Sequence, residues 1–597
     1  MSGLDPGASI VSAFEAQAAR HPDRLAVAGA DGRRTYAALD RAASAVARMI
    51  RSRLGAEDAT VALLLPPGAA IVVAILGVLK AGKIYVALDP AYPEARTAYM
   101  LADCQARLLL TDARHAALAR RVARDGQIIV ADDVPAAGPP GDQVPAVVSG
   151  RTPALLLYTS GSTGNPKGVL HTHASILVET RNYTDDARIG PEDRLSLWHS
   201  FSFANSIRNL FAGLVNGAAV FPYDLPGLGL APLPAWIRDN AITIIHTVAT
   251  TFRALTDVLP ADARFPGVRM LRLGGEAIHG ADVERFKRHF PPPCVLMHVM
   301  GPTETLSIRR HFIDHAWAGG QGNVPVGYPV RDKDVRLLDE GGREVAPGEP
   351  GEIAVRSEYL AAGYWRRPDE TRAAFLPDPA GGRARLYLTG DRGVMSADGC
   401  LTHLGRKDFQ VKVRGHRVET AEVEAALLGL PSVKSAVVHA HPDGHGDQRL
   451  VAYVVPALGA TVTLDEMRRA LGRTLPAYML PASVVSLPAL PLLPTGKVDR
   501  RALPVPATAA SPPAAGHTVP RDPTERALAE IWQDVLAVER VGIDDRFLDL
   551  GGDSLRAFKV LARAVEAFEV ELSMADLFRT ETVAQMAELI RRRRAEG

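Results

Sequence analysis

From about residue 10 to about residue 400, short apolar runs alternate with longer stretches of helical periodicity. Ala154–Tyr158, Ile242–His246 and Met270–Leu273 are examples of the runs. Strands that alternate with helices lead to parallel pairing, because each crossover must return across the sheet, so this part of the chain reads as an α/β architecture. Ala59 to Leu79 carries no charge and is long enough to cross a bilayer. Pro66-Pro67-Gly68 interrupts it, so it divides into a buried strand (Val61 to Leu65), a turn and a buried helix (Ala69 to Lys80). At 597 residues the chain is too long for one core. It has no short-period repeat of the solenoid kind.

The second constraint is a break in composition. Pro504 to Pro520 holds five prolines and almost no large apolar residue, so it reads as a semi-rigid linker. A small helical unit follows. Asp522-Pro523-Thr524-Glu525 supplies a cap, a proline at the first helical position and a glutamate at the third. Leu528, Ile531, Trp532 and Val535 then share one helical face. Further helical patterns start at Leu555 and Val583, the first with Leu555, Phe558 and Val565 turned inward. The net charge of +1 excludes a broadly cationic nucleic-acid or membrane surface. Cys104, Cys294 and Cys400 lie far apart and match neither a metal site nor a disulfide framework. Together with an N-terminus lacking signal-peptide layout, they point to the cytoplasm.

Phe547-Leu548-Asp549-Leu550-Gly551-Gly552-Asp553-Ser554-Leu555 is the sharpest signal in the C-terminal part. Two glycines permit a tight turn, after which Ser554 opens a helix. A serine there also serves as a plain N-cap. In its full context the string resembles the phosphopantetheine attachment site of a peptidyl carrier protein, over roughly residues 520 to 595. The resemblance implies a 4′-phosphopantetheine on Ser554 and a phosphopantetheinyl transferase as a partner.

Tyr158-Thr159-Ser160-Gly161-Ser162-Thr163-Gly164-Asn165-Pro166-Lys167-Gly168 follows an apolar strand. Hydroxyls, glycines and one lysine can wrap phosphate oxygens, and the spacing is not that of a P-loop kinase or GTPase. With it come Leu79-Lys80-Ala81-Gly82 through Asp89-Pro90, Gly301-Pro302-Thr303-Glu304-Thr305, Gly363-Tyr364-Trp365 with Arg367-Pro368, and Tyr387-Leu388-Thr389-Gly390-Asp391. Gly405-Arg406-Lys407-Asp408-Phe409-Gln410-Val411-Lys412 with Arg414-Gly415, Leu475-Pro476-Ala477-Tyr478-Met479 and Pro494-Thr495-Gly496-Lys497-Val498-Asp499-Arg500 complete the ordered set. In this order they resemble an adenylation domain of the nonribosomal peptide synthetase type, within the adenylate-forming superfamily of acyl-CoA synthetases and luciferases.

The resemblance implies an α/β fold: a large adenylate-forming N-terminal core (1–407), then a small mobile α+β subdomain (408–503) hinged at Asp408. The linker (504–520) then leads to an all-α helical-bundle carrier domain (521–597). It implies an AMP-forming ligase that uses ATP and Mg²⁺. Lys497, Thr303 and Glu304 would be catalytic, with Glu304 on the metal. Thr159, Ser160, Gly161, Ser162, Thr163, Gly164, Lys167, Met300, Gly301, Asp391 and Arg406 would bind ATP or AMP. Met300 stands where the family usually has an adenine-stacking tyrosine; a thioether also packs on a purine face.

Amino-acid-activating members carry an aspartate in a Phe-Asp-x-Ser string that pairs with the substrate α-ammonium. Phe203-Ala204-Asn205-Ser206 puts alanine there. A buried ammonium without a carboxylate is costly, so the expected substrate is a small carboxylic acid other than an ordinary α-amino acid. Ungapped matching places Asn205, Arg208, His246, Arg272, Gly274, Val299, Ser307 and Ile308 with Phe203 and Ala204 on the pocket wall. Arg272 lies between two leucines, so it is either paired internally, with Glu276 or another acid, or faces a second acidic group on the substrate. A downstream condensing or tailoring enzyme is the expected partner. Alternatives are an acyl-CoA synthetase-like ligase and an aryl-, hydroxy- or keto-acid loading module, with a non-catalytic scaffold a third class. Neither nucleic acid nor membrane is expected as a partner.

Overall fold

The computed structural model describes residues 4–123, 127–130, 148–161, 165–320, 322–407, 410–442, 448–491, 498, 500–504, 518–536, 538, 540–547, 550, 552, 554–572 and 574–596. The chain forms two compact units, one of residues 1–223, 240–249 and 264–419 and one of residues 224–239, 250–263 and 420–597.

Two large sheets dominate the first unit. In the nine-stranded sheet, Ala219–Pro222, Arg194–Leu197, Ile244–Thr247, Met270–Gly274 and Val295–Met300 run parallel side by side. Arg309–Ile313 then pairs antiparallel with the last of these. The seven-stranded sheet has Gln127–Val130, Leu108–Thr111, Thr60–Leu64, Ile84–Leu88 and Pro153–Thr159 in parallel, followed by the antiparallel strand Lys167–Thr172. The parallel strands are near-continuous apolar runs because helices cover both faces.

The uncharged stretch folds as its prolines require: strand Thr60–Leu64, then helix Ala69–Lys80. No described helix is long and apolar enough to cross a membrane. This helix has no cap of its own; Asp31 supplies one, accepting from the N–H groups of Ala69 (2.7 Å) and Ala70 (2.8 Å). At its other end the buried Lys80 ammonium pairs with Glu15 (2.5 Å) and Asp40 (2.7 Å). A charge at the end of a wholly apolar helix is thus neutralised, which burial demands.

A smaller five-stranded sheet, including Pro350–Ser357, Arg385–Met395 and Leu401–Arg406, completes the first unit with the two-stranded hairpin Gln410–Val413 and His416–Glu419.

The second unit contains a three-stranded sheet, Val433–Pro442, Gln448–Pro456 and Ser483–Ser486. It also holds helices Pro523–Leu536, Ser554–Phe568, Met574–Arg579 and Val583–Glu596. Asp522 caps the first of these, accepting from Glu525 N–H at 2.9 Å. The buried face of Ser554–Phe568 is Ala557, Val560, Leu561, Ala564 and Phe568. Of the expected inward set, Phe558 is half-buried and packs against this core, Val565 is half-buried, and the Leu555 side chain lies outside the described residues. Buried positions at 557, 560, 561, 564 and 568 form one stripe, and Phe558 and Val565 flank it. Trp532 is fully buried against them and meets Phe547 edge-on at 5.1 Å.

Candidate active site

Strand Pro153–Thr159 carries the phosphate-type loop, and Thr159 pairs in register with Lys167 on the returning strand. Gly161 is required there, since a Cβ would fall 2.0 Å from the Asn165 carbonyl oxygen. Ser162, Thr163 and Gly164 lie outside the described residues. Thr159 Oγ1 is buried with no hydrogen-bond partner among the described residues. The Lys167 ammonium sits 3.9 Å from the centre of the Tyr364 ring. Burial pulls its pKa down, opposed by the charge of Glu304.

Glu304 is fully buried, yet charged. Burial alone would raise its pKa, but Arg417 and Lys167 outweigh that and hold it below the usual carboxylate range. Arg417 Nη1 lies 3.1 Å from both carboxylate oxygens, and Tyr364 OH donates to Oε1 at 2.9 Å. The strap bearing Arg417 is tied down by its backbone: Ser160 Oγ donates to the Arg417 carbonyl (2.7 Å) and accepts from Glu419 N–H (3.1 Å). The Thr303 carbonyl meets His171 Nε2 at 2.9 Å. Met300 is buried beside Ile308, Val169 and Tyr364 in one apolar cluster, and Gly301 follows it directly.

Asp391 and Arg406 pair in register on adjacent strands, with Arg406 Nη1 3.1 Å from Asp391 Oδ1. His403 Nε2 approaches the same oxygen at 3.1 Å. Burial would raise the Asp391 pKa; the His403 hydrogen bond, Lys412 and Arg406 hold it at about 2 instead. Lys497 and Asp408 lie outside the described residues.

The expected substrate-pocket residues divide. Asn205, Arg208, His246, Arg272 and Ser307 gather around Glu179, at the centre of helix His173–Ala187. Arg208 Nε donates to Glu179 Oε1 (2.7 Å) and Nη1 to Asn205 Oδ1 (2.7 Å). Arg272 Nη2 donates to Ser307 Oγ (2.9 Å) and lies 3.5 Å from Glu179, while its guanidinium stacks 4.2 Å above the Tyr183 ring. The internal acid is therefore Glu179 rather than Glu276. Glu179 also accepts from Ser307 N–H (3.0 Å) and Oγ–H (2.5 Å). Burial raises its pKa and Arg208 and Arg272 lower it, leaving it at about 2. One carboxylate thus serves two guanidiniums. Arg272 Nε and Nη1 are buried with no partner among the described residues, as are His246 Nδ1 and His199 Nε2.

Burial and the nearby Arg272 keep His246 neutral. Gly274 pairs in register with Val299 one strand away. Phe203 meets the His416 ring edge-on at 4.5 Å, Ala204 begins helix Ala204–Leu214, and Ile308 belongs with Met300 rather than with the polar cluster.

Sequence reading missed Glu179, Tyr183, His199, His403 and Arg417. Glu179 had one signal, a lone acid directly after the apolar run Ile176-Leu177-Val178.

Around Ser554, the Gly552 N–H donates to the Phe547 carbonyl at 2.8 Å. A Cβ on Gly552 would lie 2.3 Å from that oxygen and 2.4 Å from the Phe547 ring, so only glycine closes the turn that leads into the helix starting at Ser554.

A phosphate-type lysine loop, a buried carboxylate and a carboxylate–arginine pair on one unit are the groups a nucleotide-using enzyme needs. The AMP-binding enzyme family model matches residues 14–365, its C-terminal domain model residues 422–497, and the phosphopantetheine attachment site model residues 526–590. The chain belongs to the AMP-binding enzyme family, as an AMP-forming ligase of the nonribosomal peptide synthetase type joined to a carrier domain. That class uses ATP with Mg²⁺ and carries 4′-phosphopantetheine. It is 34% identical over 584 residues to gramicidin S synthase 2 of Brevibacillus brevis, covering 98% of this chain and 13% of that protein. It is 34% identical over 582 residues to tyrocidine synthase 1 of Brevibacillus parabrevis, covering 97% and 52%. The chain therefore spans only part of these relatives. Among solved structures it resembles holo-PA1221, an NRPS protein containing adenylation and PCP domains bound to a vinylsulfonamide inhibitor. The TM-score is 0.78 and the identity 26%, over 99% of this chain and 98% of that one.

The residues present fit both groups. Glu304 is a charged carboxylate facing a phosphate-type loop, as an Mg²⁺ ligand must be. The glycine-enforced turn before Ser554 fits the attachment of a prosthetic arm.

Proposed function

We propose that this chain activates a small carboxylic acid with ATP and passes the acyl group to its own carrier domain, the acyl–oxygen bond breaking with AMP as the leaving group. The carboxylate oxygen attacks the α-phosphorus, the α–β phosphoanhydride bond breaks, and pyrophosphate leaves with the electron pair. The observation that supports this best is that Lys167 and Glu304 interact within the same unit that carries the Asp391–Arg406 pair. Lys167, Ser160 and the rest of the loop would hold phosphate oxygens. Glu304 would hold Mg²⁺, which neutralises charge on the phosphates. Asp391, oriented by Arg406, would accept from the ribose hydroxyls, and Met300 and Gly301 would line the adenine. Thr303 and Lys497 would meet the α-phosphate, where a fixed cation stabilises accumulating negative charge. The 4′-phosphopantetheine on Ser554 supplies a thiol with a reach no side chain has. The domain limits 1–407, 408–503, 504–520 and 521–597, with Asp408 as hinge, belong to this reading, as do a priming phosphopantetheinyl transferase and a downstream condensing or tailoring enzyme.

The substrate in this reading lacks an α-ammonium and carries a second acidic group. Ala204 offers no anion to an ammonium. The Glu179 cluster holds one more cation than anion, and Arg272 keeps two buried donors unused. A single surplus guanidinium calls for one anionic acceptor. Acid-dependent pyrophosphate exchange over a panel tests this: dicarboxylic and keto acids should exceed proteinogenic amino acids and long-chain fatty acids, and the reverse order would refute it. Intact-mass measurement should show acyl loading on the wild type and none on Ser554→Ala.

A further inference from the structure

His246 and Arg272 pair in register on adjacent parallel strands, so their side chains leave the same face of the sheet. His199 joins them from just beyond the end of strand Arg194–Leu197, its ring edge-on to that of His246 with centroids 5.3 Å apart. His246 and Arg272 are each only 2% exposed. Burial holds His199 at about 4 and His246 well below its ordinary value, so both rings are neutral. A neutral imidazole has one N–H and one lone pair. The His199 ring donates to the His246 carbonyl, while its Nε2 is buried with no partner among the described residues. The His246 ring donates to the Asn205 carbonyl, and its Nδ1 is buried in the same way. These bonds assign the proton to Nδ1 of His199 and to Nε2 of His246, and leave a bare lone pair on the other nitrogen of each ring. Beside them Arg272 Nε and Nη1 are buried donors without a partner among the described residues.

The cluster therefore asks for two kinds of group. Arg272 asks for an anion, and a second carboxylate satisfies it. A carboxylate brings only acceptors, so it leaves both imidazole lone pairs unmet, which is costly in a buried site. An ammonium would donate to them, but it would add a cation where Arg208 and Arg272 already outnumber Glu179. We propose that His199 and His246 select an acid that carries, besides its second anionic group, an uncharged hydrogen-bond donor, an O–H or an N–H. The inference rests on the reading that Arg272 meets a second anionic group, and it narrows that reading. A hydroxyl gives its proton to an imidazole, a methylene gives nothing, and a keto oxygen sets lone pair against lone pair. Size alone would not produce that ranking, because hydroxyl and keto oxygens fill nearly the same space.

Acid-dependent pyrophosphate exchange on the full chain tests it, with dicarboxylic acids of four and five carbons in unsubstituted, 2-hydroxy, 2-acetamido, 2-oxo and 2-amino forms. At the better chain length the hydroxy or the acetamido acid should exceed the unsubstituted acid in kcat/KM by roughly tenfold to a hundredfold, and the oxo acid should fall below it. The better of the two donor acids tells O–H from N–H. His199→Phe and His246→Phe keep a ring and remove the lone pair. In each, the ratio of donor acid to unsubstituted acid should drop toward one, whereas a ring that merely packs would lower both acids together and preserve the ratio. An unsubstituted or oxo acid that equals or exceeds both donor acids on the wild type overturns the proposal, as does a ratio that both variants leave unchanged. The wild-type series decides even where a variant does not fold. Highest activity with the 2-amino forms, or none with any dicarboxylic acid, would instead refute the underlying reading of a second anionic group without an α-ammonium, and the proposal with it.

Discussion

Glu179 anchors two arginines, and the two are held unequally. Arg208 takes the short contact at 2.7 Å and completes its shell with Asn205; Arg272 stands off at 3.5 Å. Arg208 is thus a paired structural cation, whereas Arg272 retains capacity for a ligand. Arg272→Ala should lower specificity for an acid with a second anionic group by about a hundredfold or more, from the cost of unpairing a buried charge. Uncharged analogues should change far less, so comparing kcat/KM for the two classes decides it; equal losses would make Arg272 structural. Glu179→Gln should act differently. It strands both guanidiniums and should destabilise the first unit by about 3–5 kcal/mol, measured as a drop in the urea midpoint. Lys333 adds to that effect: burial lowers its pKa to about 8 against the pull of Glu179 and Asp332.

At the scale of elements, local patterns were readable wherever backbone chemistry decides them. Pro66-Pro67-Gly68 had to break an apolar stretch, and Asp522-Pro523 had to open a helix. The helix from Ser554 was legible as a helix, but its buried stripe was set by packing against Trp532 and Met586, which spacing alone does not reveal. Arg417 meets Glu304 across 113 residues of sequence, and His403 reaches Asp391 only through strand register. Such partners are products of topology, so the site's motif residues could be read while the residues that orient them could not. The turn before Ser554 yields its own prediction. Gly552→Ala places a methyl against the Phe547 carbonyl and ring, so the turn must open. Priming of Ser554 should slow markedly while acid-dependent pyrophosphate exchange is unaffected, with intact mass and exchange assays reporting each. Priming at the wild-type rate would show that the turn does not present the serine.

Across the first unit, burial sets a common response to acid. Desolvation holds His171, His173, His199 and His298 at about 4 and His416 at about 3, all below the ordinary imidazole value. A histidine with a lowered folded-state pKa is neutral in the fold and charges on unfolding. Below the unfolded value of 6.5 the unfolded chain therefore binds more protons, and stability falls as the pH is lowered until the folded value is reached. Asp186 works in the opposite sense. Burial raises it to about 6, so over part of this window the folded state holds an extra proton. With His246, which burial also keeps neutral, six histidines against one aspartate leave a net uptake of about five protons on unfolding near pH 5. Each contributes about 1.4 kcal/mol per pH unit. Glu179 and Asp391, both held at about 2, add their loss only below the ordinary carboxylate range. The urea midpoint of the first unit should accordingly begin to fall below about pH 6.5, well before carboxylates protonate. His173→Asn isolates one contribution. His173 Nδ1 accepts from Ile10 N–H at 3.2 Å, an acceptor that an asparagine oxygen supplies without a titrating ring. The variant should lose about one proton of slope between pH 6.5 and pH 4. A slope identical to wild type would mean that His173 is not held neutral by burial.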